Sequence, residues 1–121
     1  MIHNALIIKI EEEDIVTIKV DEIELTCFSS LGTDNILVNR KYPIELSFFF
    51  IEDEDIIPLD FGVKEVTRID GYFKYELKGK LTTDGVFDFG ILIEDDTLAS
   101  YPYLFGTYIK MNVDRIDIAF L

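Results

Sequence analysis

Apolar and polar residues alternate along most of the chain, in short stretches separated by acidic or glycine-containing turns. This period of two places successive side chains on opposite faces of a β-strand, and the β-branched and aromatic residues in these stretches favour strands. Only one short helical turn is indicated, beginning at Asp96 or Thr97 and ending before Pro102. The pattern therefore predicts an all-β protein with at most one short helix.

The N-terminal part of the chain predicts a three-stranded meander. The alternate apolar residues of 6–10 and 16–20 share one face only if the loop between the strands has an odd number of residues. Residues 12–14 form a loop of three. The expected pairs are Ile10 with Val16, Ile8 with Ile18, and Leu6 with Val20. A two-residue loop at 21–22 leads to the third strand. It sets Ile18 opposite Leu25, Val16 opposite Cys27, and Lys19 opposite Glu24.

A hairpin is predicted over residues 73–94, with its turn at Thr83-Asp84-Gly85 and Gly85 in the left-handed position of a G1 bulge. The register places Gly79 opposite Phe89, whose ring can cover the bare backbone. It also sets Lys80 opposite Asp88 and Lys74 opposite Glu94. Because acids then share the face with the lysines of this hairpin, we expect no nucleic-acid-binding stripe there.

Two further strand patterns complete the sequence. The C-terminal residues predict a hairpin with a turn at Asp114-Arg115. It opposes Val113 to Ile116, Met111 to Ile118, and Ile109 to Phe120. Residues 42–51 predict a strand with one face formed by Ile44, Leu46, Phe48 and Phe50. Since Phe49 and Ile51 make its other face apolar as well, this strand is covered on both sides or presents an apolar surface.

Many short strands without a long helix are typical of a small antiparallel barrel or sandwich. The order of meander, connection and hairpin resembles an OB-type barrel. The 121 residues suit a single domain spanning 1–121, because no linker, repeat or low-complexity tract divides them.

The composition excludes several classes of protein. No apolar run reaches the roughly 20 residues of a membrane helix, and the N-terminus lacks a signal-peptide pattern, so we expect a cytoplasmic protein with no membrane contact. Cys27 is the sole cysteine, which excludes an intramolecular disulfide and a cysteine-based zinc cluster. His3 is the sole histidine and lies close to the N-terminus, so we expect neither a histidine-rich metal site nor a histidine-dependent triad. No nucleotide or catalytic motif is present, and we expect neither an enzyme nor a cofactor.

The charge points to the nature of a partner. The formal net charge is −13, from 24 acids against 11 bases. Such a field repels nucleic-acid backbones and anionic membranes and attracts basic molecules at rates that fall with added salt. A basic protein partner is therefore expected, with no direct binding to nucleic acid. The alternative interpretation is that the charge only keeps the domain soluble.

Two acidic clusters adjoin aromatic segments, the first at residues 52–55 with Asp60 nearby and the second at residues 94–96. Calcium binding at the first cluster is disfavoured, since Ile57 and Pro58 stand where the EF-hand pattern requires an oxygen ligand and a glycine. A solvated turn and a partner-binding rim remain, the latter because interfaces combine an apolar centre with a polar margin. Tyrosines near the second cluster suit an interface or a structural plug. The candidate partner-binding residues are Glu52, Asp53, Glu54, Asp55, Asp60, Glu94, Asp95, Asp96, Tyr101, Tyr103 and Phe105.

These features favour an acidic binding protein that neutralises or regulates a basic macromolecule. Immunity proteins of toxin nucleases and inhibitors that mimic the charge of DNA share this combination of charge without reactive chemistry. One alternative is an assembly subunit that forms homo-oligomers through residues 44–51. Another is a β-barrel module that binds a small sugar or a cation through residues 100–108, which contain Tyr101, Tyr103 and Phe105 and which we call the tyrosine loop.

Overall fold

The structure, a computed structural model, describes residues 1–49, 55–70 and 73–121. The described residues are mostly strand, which confirms the all-β prediction. The strands are β1 (Ile2–Glu11), β2 (Ile15–Val20), β3 (Ile23–Phe28), β4 (Lys41–Phe49), β5 (Ile56–Pro58), β6 (Glu65–Asp70), β7 (Lys74–Leu81), β8 (Val86–Asp88), β9 (Leu92–Glu94), β10 (Thr107–Val113) and β11 (Arg115–Phe120). Two single 3-10 turns, Leu98–Ser100 and Pro102–Leu104, precede β10, and the first follows Thr97 as predicted.

Five strands close a barrel in the order β1, β2, β3, β11, β4 and back to β1. The contact between β3 and β11 is parallel, and the other four contacts are antiparallel. This order agrees with the resemblance to an OB-type barrel, a five-stranded Greek-key barrel that is partly open.

The segment between β4 and β11 forms a second sheet in the order β5, β10, β7, β8, β9. β6 and β8 lie end to end on one edge of β7, since β6 pairs with residues 74–78 and β8 with residues 80–81. Buried side chains from the barrel and from this sheet form one continuous apolar core.

The meander is predicted correctly at β2 and β3 and wrongly in part at β1. The structure has the expected pairs between β2 and β3 and the pair of Ile10 with Val16. A bulge between Ile7 and Lys9 then shifts the register, so that Ile7 faces Ile18 and Leu6 faces Lys19. Because a bulge adds one residue to one strand, it reverses which side chains point inward. Ala5 and Ile7 are therefore buried in place of Leu6 and Ile8.

The predicted hairpin at β7 is correct near its turn and wrong further on. Lys80 faces Asp88, and Gly85 has a φ of 80°, as expected. The chain folds back at Gly90, where φ is 110° and Asp88 Oδ1 accepts a hydrogen bond from the backbone N–H. β9 consequently pairs with β8, and Lys74 faces Asp70 of β6 and not Glu94. Gly79 fits against the backbone of Asp88, where an added Cβ would overlap the carbonyl oxygen.

The predicted C-terminal hairpin is wrong. β10 pairs with β5 and β7 in the second sheet, whereas β11 pairs with β3 and β4 in the barrel. Asp114 marks the crossing, and its N–H donates to the carbonyl of Phe49 at 3.3 Å. Both strands still bury every second residue, but they do so in different sheets, so alternation did not distinguish a hairpin from a crossing.

β4 has the predicted apolar face, with Ile44 and Leu46 buried and Phe48 half-buried. It pairs with β1 over residues 41–45 and with β11 over residues 44–49. Phe50 and Ile51 lie outside the described residues. An interface through residues 44–51 stays a prediction.

Side-chain contacts strengthen the barrel near the short contact between β3 and β11. The N–H of Thr26 on β3 donates to the hydroxyl of Tyr75 on β7, at 2.9 Å. Arg115 on β11 lies over the rings of Phe28 and Phe49, at 4.2 and 3.8 Å from their centroids. The Arg115–Phe28 contact thereby supplements the single parallel pair between β3 and β11, while the other two contacts hold β3 to β7 and β11 to β4.

Candidate functional site

The first predicted acidic cluster is described only in part. Glu52, Asp53 and Glu54 lie outside the described residues. Asp55 is half-buried immediately before β5, and Asp60 is exposed shortly after it. The role of this cluster in binding a partner stays a prediction.

The second acidic cluster combines a structural carboxylate with two exposed ones. Asp95 Oδ2 accepts a hydrogen bond from the N–H of Phe48 at 3.1 Å, and Asp95 Oδ1 accepts one from the N–H of Thr97 at 2.9 Å. Asp95 therefore ties the loop after β9 to the end of β4. Glu94 and Asp96 are exposed on either side of it and remain available to a partner.

Part of the tyrosine loop packs against the rest of the protein, and its role as a plug of the barrel stays a prediction. Tyr101 is buried, and its ring lies 6.1 Å from that of Tyr103. Phe105 is half-buried and packs on Gly85 in the turn between β7 and β8. Tyr103 is 75% exposed, so it is the aromatic ring of this loop that a partner can contact most fully.

A different group of carboxylates surrounds an open pocket of about 570 Å³, which we call the acidic pocket. Glu12, Glu13 and Asp14 come from the loop between β1 and β2, and Asp34 comes from the connection between β3 and β4. Phe28 and a short segment at 29–32 complete the lining, which contains no lysine or arginine. The lining therefore combines four carboxylates with the apolar side chains of Phe28 and Leu31.

Backbone contacts hold the two loops of the acidic pocket together. The carbonyl of Asp14 accepts the N–H of Ser29 at 2.8 Å, and the carbonyl of Glu13 accepts the hydroxyl of Thr33 at 3.0 Å. Glu12 has a φ of 57°, a left-handed conformation that turns the chain out of β1. These contacts place Asp34 beside three acids that precede it by about twenty residues in sequence.

The carboxylates of the acidic pocket are not neutralised by ion pairs within the described part of the chain, although Arg115 lies over the ring of Phe28 in the lining. None of Glu12, Glu13, Asp14 and Asp34 takes part in an ion pair with another described residue. Like charges close together raise the local negative potential, and carboxylates form strong hydrogen bonds with lysine and arginine. This arrangement is suited to receiving a basic side chain.

The sequence showed the acids of residues 12–14 but indicated only a turn for them. A run of consecutive acids in a hairpin loop is itself a signal of a charged surface. Asp34 could not be assigned, because it lies in an irregular connection whose path depends on hydrogen bonds to another loop.

Metal and thiol chemistry find no support among the described residues. No group of three or more histidine, cysteine, aspartate or glutamate side chains in these ranges could hold a metal ion. Burial, and secondarily the charge of Asp117, raises the pKa of the Cys27 thiol far above its ordinary value. The thiol is therefore protonated at neutral pH and unsuited to act as a nucleophile.

Comparison with known proteins identifies a family. A family model matches residues 1–121, and the family is described as Uncharacterised conserved protein UCP019853. No curated protein and no solved structure matches the sequence. Neither helical turn in the described ranges has the length and apolar character needed to cross a bilayer.

Proposed function

The chain belongs to this family over its full length, and we propose that it is a binding protein that captures and neutralises a basic macromolecule. The acidic pocket carries this proposal, because it gathers four carboxylates from two loops without a lysine or arginine in its lining. With 24 acids and 11 bases, many carboxylates lack a cation in any arrangement of the side chains. Unpaired charge on this scale favours association with a cationic surface.

The proposed mechanism has two steps. The negative field first draws the basic partner in, at a rate that falls as salt screens the charges. Lysine or arginine side chains of the partner then bind the carboxylates of the acidic pocket, and Leu31 at its rim, which is 93% exposed, adds apolar contact. Glu94, Asp96 and Tyr103 offer a second contact region. A partner that uses the same basic groups to bind phosphate would be inhibited, as in immunity proteins and inhibitors that mimic DNA.

The test begins with capture of partners from the source cell's lysate at low and at high salt. The affinity of a retained basic protein is then measured for the wild type and for two variants of equal charge. The pocket variant is E12Q/E13Q/D14N/D34N. The control variant, D21N/E45Q/D84N/D114N, removes four exposed carboxylates outside the pocket.

We expect the pocket variant to bind at least about tenfold more weakly than the control, with a shallower dependence on salt. Equal affinities of the two variants would show that binding depends on the overall net charge and not on the acidic pocket. An affinity and salt dependence unchanged from the wild type in both would refute the proposal.

A further inference from the structure

A polar cleft runs between the outer face of the barrel and β6 of the second sheet. It consists of two adjoining pockets of about 420 and 410 Å³ that share Glu24 and Val66. β1, β2 and β3 form one wall, and residues 64–68 form the other. We call this feature the β6 cleft.

β6 borders the cleft with a free edge. In the described part of the chain it pairs with β7 alone, so its other edge has no strand beside it. The six residues of β6 span about 20 Å at roughly 3.3 Å per residue. An unpaired edge of this length presents backbone N–H and C=O groups that a further strand can pair with. The two terminal strands of the sheet order, β5 and β9, have only three residues each.

The barrel offers a surface on which an added strand could rest. The bulge in β1 brings two consecutive residues, Ile8 and Lys9, into the lining of the cleft, although neighbours in a regular strand point to opposite faces. Thr17 of β2 lies beside them, and Val66 faces them from β6. A strand added to β6 would therefore place every second side chain against a partly apolar surface.

The charges of the cleft favour a basic occupant. Four carboxylates and three cations line the cleft. Lys9 forms an ion pair with Glu11, Lys64 pairs with Asp88 at 2.7 Å, and Arg68 lies over the ring of Tyr75, 5.9 Å from its centroid. Glu24 and Glu65 also line the cleft and take part in no ion pair with a described residue. The net charge of −13 adds to this preference.

We propose that an extended segment of the partner protein, containing lysine or arginine, adds to the free edge of β6 as a further strand lying over β1 and β2. Backbone hydrogen bonds supply the affinity, the apolar surface selects alternate side chains, and the carboxylates select basic residues. The basic character of the segment rests on the proposed function, whereas the strand addition rests on the geometry of the cleft.

The experiment uses three synthetic peptides of about ten residues as probes for strand addition. The first alternates lysine and valine, the second has the same sequence with every second backbone amide methylated, and the third alternates glutamate and valine. Binding is measured by fluorescence anisotropy, and hydrogen exchange maps the protected amides. We expect the first peptide to bind and to protect residues 65–70. We expect the methylated peptide to bind at least about tenfold more weakly, since it loses several backbone hydrogen bonds.

A matched pair of variants locates the site. T17Y fills the cleft from β2, and S47Y adds the same side chain to an exposed position on β4. We expect T17Y to weaken binding of the lysine peptide at least about tenfold and S47Y to leave it within about twofold. Thermal unfolding of both variants checks that they are folded.

The outcomes separate the two proposals. Equal binding of the plain and methylated peptides would overturn strand addition and leave electrostatic capture intact. Equal binding of the lysine and glutamate peptides, with protection of β6, would retain strand addition and overturn the preference for a basic partner. Absence of binding, or protection outside residues 65–70, would overturn the inference. Dimerisation of the free protein with protection of the same amides would assign the edge to a second copy and also overturn it.

Discussion

Removal of the Tyr75 hydroxyl tests whether its hydrogen bond to β3 stabilises the barrel near the contact between β3 and β11. Tyr75 is 4% exposed and Thr26 is 5% exposed, and the hydroxyl accepts the N–H of Thr26 at 2.9 Å. Substitution of Tyr75 by Phe keeps the ring and its packing and removes only this acceptor. The N–H of Thr26 would then be buried without a partner.

The expected cost follows from that unsatisfied donor. Leaving a buried N–H without an acceptor costs about 1–3 kcal/mol. For a domain of 121 residues, an unfolding entropy of roughly 2.1 cal/mol/K per residue converts 1 kcal/mol into about 4 °C. Y75F should therefore lower the melting temperature by about 4–12 °C.

Urea unfolding of Y75F and of the control Y103F measures this effect directly. Tyr103 is 75% exposed, so removal of its hydroxyl should change the free energy of unfolding by less than about 0.5 kcal/mol. The midpoint of Y75F should fall with an unchanged slope, as for a pure loss of stability. If Y75F unfolds at the same urea midpoint as the wild type, the N–H of Thr26 has another acceptor. The hydrogen bond to Tyr75 then does not stabilise β3 in the barrel.

Three further changes test other parts of the structure. Replacing Arg115 by Ala removes two cation–π contacts and an ion pair, and we expect unfolding to become easier by about 1–3 kcal/mol; an unchanged urea midpoint would contradict this. Burial alone would raise the pKa of Asp88, but hydrogen bonds from Lys64 and Gly90 outweigh it and lower that pKa, while the bond to Asp88 raises the pKa of Lys64. The pair should therefore stabilise the fold between the ordinary pKa values of about 4 and 10.5, and its contribution should fall as pH drops through the folded pKa of Asp88 or rises through that of Lys64. In D88N the losses of stability at acid and at alkaline pH should both be smaller. A pH profile of unfolding identical to that of the wild type would exclude the Lys64–Asp88 pair as their source. Cys27 should react with a thiol reagent only after unfolding, and rapid labelling of the native protein would show that the thiol is accessible.

The alternation of apolar and polar residues predicted the strand register correctly where only one face of the strand was apolar. The register of β2 and β3 followed from the polar residues that separate Val16, Ile18 and Val20. In β1 the residues at 6–8 are all apolar, so neither face was distinguished and the bulge left no signal. The Asx turn at Asp88 and Gly90 was visible in the sequence, but a longer hairpin satisfied the same parity.

The candidate site was less predictable than the strands, because it depends on contacts between loops. The exposure of Glu94 and Asp96 fits their predicted role, which stays a prediction. Tyr101 and Asp95 looked equally available, yet the first is buried and the second holds β4. Composition indicated the sign of the charge, whereas its concentration around the acidic pocket required the path of residues 29–40.

The position of the second sheet within the chain has a consequence for biosynthesis. β11 supplies the strand that joins β3 to β4, and it follows the whole inserted sheet in sequence. When only β1 to β4 have been synthesised, the barrel is therefore open. The edges of β3 and β4 that pair with β11 stay exposed until β11 has been synthesised. Closure joins residues as distant as Phe28 and Asp117, and such long-range pairing slows folding and lengthens the exposure of strand edges. Chaperone dependence should accordingly be strongest for nascent chains that end before residue 115.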